Sequence, residues 1–123
     1  MTLAIGVGLA AALGAVCRYL LDQAVQHQHD QIFPWGTFLI NVSGSLLLGL
    51  TLGLAADHGL PPVVATVIGA GFLGGYTTWS TYVWESLALA EAGAVGQATL
   101  NLAGSLAAGI AAAAGGLVLA GML

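Results

Sequence analysis

The sequence predicts an all-α membrane protein with four transmembrane helices. Only 5% of its 123 residues are charged and 59% are hydrophobic, whereas soluble domains carry about 25% charged residues. A chain with so few charges cannot cover a water-facing surface, so we expect a multi-pass protein of the cell (inner) membrane. Because one crossing needs roughly 20 mostly apolar residues, residues 1–123 have room for about four crossings in a single transmembrane domain.

The distribution of charge gives little instruction about orientation. Arg18 is the one Lys or Arg in the chain, against five acidic residues. Membrane orientation normally follows Lys and Arg in the loops on the cytoplasmic side, and no loop of this chain contains either residue. The sequence therefore predicts dual topology, and a chain that inserts both ways can form an antiparallel homodimer.

The first span is predicted over residues 3–21 and is rich in Gly and Ala. The polar stretch Asp22–Pro34 follows and is predicted to be the first loop. Its two histidines, His27 and His29, have a spacing that weakly resembles a metal site. The spacing is more typical of two solvated loop histidines.

The second span is predicted over residues 36–56, after Pro34 and Trp35, which suit a helix start at the membrane interface. Pro61 and Pro62 open the third span after a tight loop. The fourth span is predicted over residues 95–119. It consists almost entirely of Ala, Gly and Leu, which predicts close contacts between helices.

The third span, residues 63–90, does not have the pattern of an ordinary helix. Its middle reads GAGFLGGYTTWSTY, over residues 69–82. Gly and β-branched Thr are weak helix formers, so the pattern predicts a break near the middle of the membrane. Broken backbone at that depth is tolerated only inside protein or beside a wet cavity, although glycines also serve plain helix packing.

Polar side chains form one stripe on each of three predicted helices. The stripes consist of Thr37, Asn41 and Ser45 in the second span, Trp79 and Tyr82 in the third, and Asn101 and Ser105 in the fourth. Residues three or four apart share a helix face, and polar groups in lipid are costly. A lone Asn would serve as contact between helices, but three stripes without fixed charge favour a path for a small, dehydrated anion.

Two charged residues lie near the ends of predicted spans. Arg18 either extends to the interface or places a positive charge at an anion vestibule, and both roles are compatible. Glu85 either lies at a pore mouth or reaches the headgroup layer.

The run GFLGGYTTWSTYVWE, over residues 71–85, resembles the signature of the CrcB/Fluc family of fluoride channels, usually GxxGGxTTFSTF. GAVCRY (residues 14–19) and PWGTFLINVSGSLLLG (residues 34–49) agree with the same family, and the resemblance covers all four spans. It implies passive export of fluoride, and so fluoride resistance, by a dual-topology antiparallel homodimer with two parallel pores.

The resemblance also implies a structural Na⁺ at the dimer centre, bound by the backbone carbonyls of Gly74 and Thr77. The expected partners are fluoride, membrane lipid and a second copy of the chain, with no nucleic acid. The residues expected in or beside the anion pathway are Arg18, Thr37, Asn41, Trp79, Ser80, Thr81, Tyr82, Glu85 and Ser105.

The chain departs from the family pattern at three positions. Trp79 and Tyr82 stand where the family usually has Phe, and Asn101 stands where Tyr is common. These changes keep open a non-conducting partner subunit of a heteromeric channel. A small proton-coupled multidrug exporter would need a carboxylate in the first span, and residues 1–21 contain no acid. We expect no enzyme, because the sequence offers no nucleophile–base pair or metal cluster.

Overall fold

The computed structural model describes residues 1–26 and 32–123, and within these ranges all regular structure is helical. The histidines His27 and His29 lie outside the described residues. The helices are α1 (Thr2–Gln26), α2 (Trp35–Asp57), α3 (residues 62–76), α4 (Ser80–Glu91) and α5 (Val95–Ala120). Two of them contain π-helical turns, at Val67–Leu73 in α3 and at Leu100–Gly104 in α5.

The prediction that the first loop begins at Asp22 is wrong. Helix α1 continues through Asp22 to Gln26, because Gln and Ala are good helix formers and because this turn packs against α2. The carboxylate of Asp22 lies against the backbone of Gly36, where an added Cβ would overlap it. The helix therefore extends beyond the apolar segment.

The predicted break in the third span is confirmed. Helix α3 ends at Tyr76, Thr77 is extended (φ −78°, ψ 161°), and α4 begins at Ser80. Among the described residues, three helices are long and apolar enough to cross a membrane, namely Thr2–Val25, Trp35–Asp57 and Val95–Ala120. The predicted span 63–90 is divided between α3 and α4, neither of which has that length alone.

The helices pack in close pairs through glycine. Helix α2 runs along α5, and α1 runs along α3. An added Cβ at Gly49 would overlap the carbonyl oxygen of Ala113, and one at Gly116 would overlap the carbonyl oxygen of Leu46. In lipid, helices associate largely through such van der Waals contact, so glycine sets the distance between α2 and α5.

We expect the substitution Gly116→Ala to destabilise the protein by about 1–3 kcal/mol, because the new methyl group must push the backbone of α2 away. Gly115→Ala is a matched control on the same turn. Its added Cβ would meet only Leu46 Cδ1, at 3.9 Å, so we expect a change within about 0.5 kcal/mol. Thermal unfolding in detergent measures both. Equal loss in the two variants would contradict the close α2–α5 packing.

Candidate functional site

The break between α3 and α4 is held open by one side-chain amide from α2. Asn41 Nδ2 donates to the carbonyl oxygen of Thr78 at 2.9 Å, and Asn41 Oδ1 accepts from the amide of Thr78, also at 2.9 Å. The side chain thus takes the place of both backbone partners that Thr78 would have in a continuous helix. Both polar atoms of Asn41 are therefore engaged within the chain.

The backbone carbonyls of Gly74 and Thr77 are among those that lose their usual helical donors at the break. The amide of Thr78, which would bond to Gly74 in a continuous α-helix, donates to Asn41 instead. The amide of Thr81, the corresponding donor for Thr77, donates to Thr78 Oγ1 at 3.3 Å. The oxygen of Thr77 accepts from Arg18 Nη1 at 3.3 Å, which brings the one Lys or Arg of the chain to the break.

A groove of about 430 Å³ opens beside the break, between α2, α3, α4 and α5. None of the described residues that line this groove carries a charge. The residues in its wall that the sequence analysis selected are Asn41, Ser45, Gly74, Thr77, Trp79, Tyr82 and Ser105. Each of the three predicted stripes thus contributes residues to this cavity, whereas Thr37 and Asn101 lie outside its wall.

The aromatic pair forms one side of this groove. The ring centroids of Trp79 and Tyr82 lie 5.3 Å apart at an angle of 51°. Tyr82 is only 6% exposed and its hydroxyl donates to the carbonyl oxygen of Leu102. Trp79 is 71% exposed. The phenol hydroxyl is therefore engaged by α5, and the two rings are left to line the groove.

A second pair extends the site by one helical turn. Thr37, one turn before Asn41 on α2, is buried and donates from Oγ1 to Glu85 Oε1 at 2.9 Å. Glu85 Oε2 is also buried, with no hydrogen-bond partner among the described residues. One oxygen of Glu85 is therefore held by α2, and both alternatives for this residue stay predictions.

Hydroxyl groups cluster at the start of α4. Thr78 Oγ1 donates to Thr81 Oγ1 at 2.9 Å and lies 3.5 Å from Ser80 Oγ. Ser80 and Thr81 are exposed and lie outside the wall of the groove. These two predicted pathway residues therefore lie beside the break, with Thr78 as their common contact.

Sequence analysis missed one residue of the site and one residue behind its wall. It did not select Thr78, whose backbone is bound by Asn41, or Ser86, whose hydroxyl accepts from Asn101 Nδ2 at 2.8 Å. Ser86 lies four residues after Tyr82, so the spacing rule that defined the other stripes could have found it. Among the described residues no group of three or more His, Cys, Asp or Glu could hold a metal ion.

Comparison with known proteins identifies the family of this chain. The model of the CrcB-like protein family, described as camphor resistance (CrcB), matches residues 5–117. A fluoride-specific ion channel of Frankia casuarinae is 51% identical to this chain, over 89% of the chain and 89% of the relative. One of Streptomyces avermitilis is 46% identical, over 87% and 86%.

A further relative has a similar length. A fluoride-specific ion channel of Thermus thermophilus is 42% identical, over 95% of this chain and 94% of the relative. With three long apolar helices among the described residues, these matches identify a multi-pass membrane protein. The chain belongs to the CrcB family.

Proposed function

We propose that this chain is a fluoride channel that exports fluoride passively and so gives fluoride resistance. Membership of the CrcB family and the names of its relatives support this proposal. The observation that carries it is the uncharged groove at the helix break, lined by Trp79, Tyr82 and polar groups. Such a wall can replace part of the water around a small anion without holding it by a fixed charge.

The aromatic rings are the groups best placed to face the anion. Ring edges carry partial positive charge, and Trp79 is largely exposed. The amide of Asn41 and the hydroxyl of Tyr82 are already bonded within the chain. We therefore assign the first contact with fluoride to the two rings, with Asn41 fixing the shape of the break behind them.

We infer that α3 and α4 together make one crossing, which gives the chain four spans. Their combined length matches the predicted span 63–90, and Pro62 begins α3 as it would begin a helix at the interface. The break then falls inside the membrane, where irregular backbone must face protein or a wet cavity. The groove beside the break meets that requirement on one side.

An antiparallel homodimer would cover the other side. Trp79, Ser80 and Thr81 are exposed at the level of the break, where lipid cannot satisfy an indole N–H or a hydroxyl. A second copy would bring its own polar break to this face. The near-absence of Lys and Arg supports insertion in both orientations, which the antiparallel arrangement needs.

The same break suits a structural Na⁺. Carbonyl oxygens are hard ligands of the kind that such a cation prefers, and the amides that would normally bond to Gly74 and Thr77 donate elsewhere. Thr77 also accepts from Arg18, but a carbonyl oxygen has two lone pairs. We propose that these two carbonyls bind Na⁺, which would add positive charge to the interior.

The physiological direction follows from the chemistry of fluoride. Neutral HF enters cells and dissociates in the cytoplasm, so the anion accumulates there. A negative-inside potential drives the anion out with about 2.3 kcal/mol for each 100 mV, so no coupled ion is needed. The channel must reject chloride, because a chloride leak would discharge the membrane.

The experiment is fluoride efflux from liposomes that contain the purified chain alone, with chloride efflux measured in parallel. We expect rapid fluoride efflux and chloride efflux no faster than from empty liposomes. Fluoride efflux by this chain alone would also exclude the role of a non-conducting partner subunit. A folded, dimeric sample without fluoride efflux would refute the proposal, and Trp79→Phe with Tyr82→Phe would then test whether the aromatic departure is the cause.

A further inference from the structure

A fully buried amide lies behind the wall of the groove. Asn101, in the π-helical turn of α5, is 0% exposed. Its Nδ2 donates to Ser86 Oγ at 2.8 Å and to the carbonyl oxygen of Tyr82 at 3.4 Å. Its Oδ1 accepts from Ser105 Oγ at 3.1 Å. Every polar atom of this side chain is therefore paired, and two of its partners, Tyr82 and Ser105, line the groove.

The carbonyl oxygen of Tyr82 fixes which atoms donate and which accept in this network. The carbonyl oxygen of Tyr82 can only accept, and Ser86 Oγ also donates to it at 2.8 Å. The NH₂ group of Asn101 must therefore face Tyr82, which leaves its oxygen facing Ser105. Ser105 has a single hydroxyl proton, and the hydroxyl donates it in the hydrogen bond to Asn101 Oδ1. The hydroxyl consequently presents lone pairs, and no proton, to the groove.

We propose that Asn101 is a positioning residue that competes with the permeating anion for the proton of Ser105. This inference rests on the proposed function. To donate to fluoride, Ser105 must give up its bond to Asn101, and the buried Asn101 oxygen then lacks a partner. That loss offsets part of the gain from binding the anion, because a buried acceptor without a donor is costly.

The competition between Asn101 and the anion favours release of fluoride from the groove. Conduction requires a site that binds an ion well enough to admit it and weakly enough to let it leave. Tyr82 and Ser105 face the same groove, so an unrestrained Ser105 hydroxyl would add a strong donor beside the ring. Asn101 keeps that donor occupied until an anion is present.

The test is the fluoride dependence of current through the Asn101→Leu variant, which removes the acceptor at nearly constant volume. We expect the half-saturating fluoride concentration to fall about fivefold, which corresponds to one neutral hydrogen bond. We expect the maximal current to fall as well, because the anion leaves more slowly. Asn101→Ala is the second variant if the leucine side chain prevents assembly, and its expected shift has the same direction.

Ser86→Ala is the matched control within the network. It removes a partner of the Asn101 NH₂ group but leaves the Ser105–Asn101 bond, so we expect an unchanged half-saturating concentration. A network with a purely structural role would reduce the number of working channels in both variants and shift neither value. That result, or a rise in the half-saturating fluoride concentration of Asn101→Leu, would overturn the inference. Wild-type protein without fluoride current would instead refute the proposed function.

Discussion

Substitution of Asn41 by Asp is expected to abolish fluoride flux, with a loss of at least about a hundredfold. A carboxylate in the groove repels an anion 4 Å away by roughly 4 kcal/mol at the effective dielectric constant of a partly buried site. The same change also sets a carboxylate oxygen against the carbonyl oxygen of Thr78, where the amide now donates at 2.9 Å. Both effects are expected to lower fluoride flux.

The variant Asn41→Leu separates these two effects, because it removes the pairing with Thr78 without adding charge. The amide of Thr78 is then free to bond to Gly74 as in a continuous helix, so we expect the break to tighten and flux to fall about tenfold. Efflux from liposomes at matched protein content measures both variants. Wild-type flux from Asn41→Asp would show that the anion does not pass near Asn41.

The presence and place of the break could be predicted from the sequence, because Gly and Thr are weak helix formers wherever they lie. The stripes could also be predicted, because spacing along one helix fixes which residues share a face. Asn41, Tyr82 and Ser105 do line one groove. The break and the stripes are properties of single helices, so residue types and spacing predict them.

The hydrogen-bond partners could not be predicted in the same way. The stripes predicted that Asn41 and Tyr82 lie beside an anion path, but the side-chain amide of Asn41 donates to Thr78 and the hydroxyl of Tyr82 donates to Leu102. Thr78 lies in the break and Leu102 lies on α5, and their positions depend on the distance between helices and on side-chain rotamers, which residue spacing does not encode. A π-helical turn at Leu100–Gly104 shifts the register of α5 by local backbone geometry, which the spacing of residues does not encode.

The substitution Arg18→Gln is expected to lower fluoride flux about tenfold or more. Arg18 Nη1 donates to the carbonyl oxygen of Thr77 at 3.3 Å, so the one Lys or Arg side chain of the protein reaches the break. A unit charge about 8 Å from an anion contributes roughly 2 kcal/mol at an effective dielectric constant of 20. Removal of that charge makes the interior less favourable for every anion that enters.

Arg18→Lys is the matched control, because lysine keeps the charge but lacks the planar guanidinium group. That group can donate to Thr77 and to other acceptors at the same time. We expect its flux to lie between those of wild type and Arg18→Gln. The dependence on ionic strength gives a second reading, because salt screens a charge that attracts ions from the vestibule. Flux through the wild type should fall as an inert salt is raised, and flux through Arg18→Gln should respond less. If Arg18 served only to reach the interface, all three proteins would conduct alike, and the contact with Thr77 would have no part in conduction.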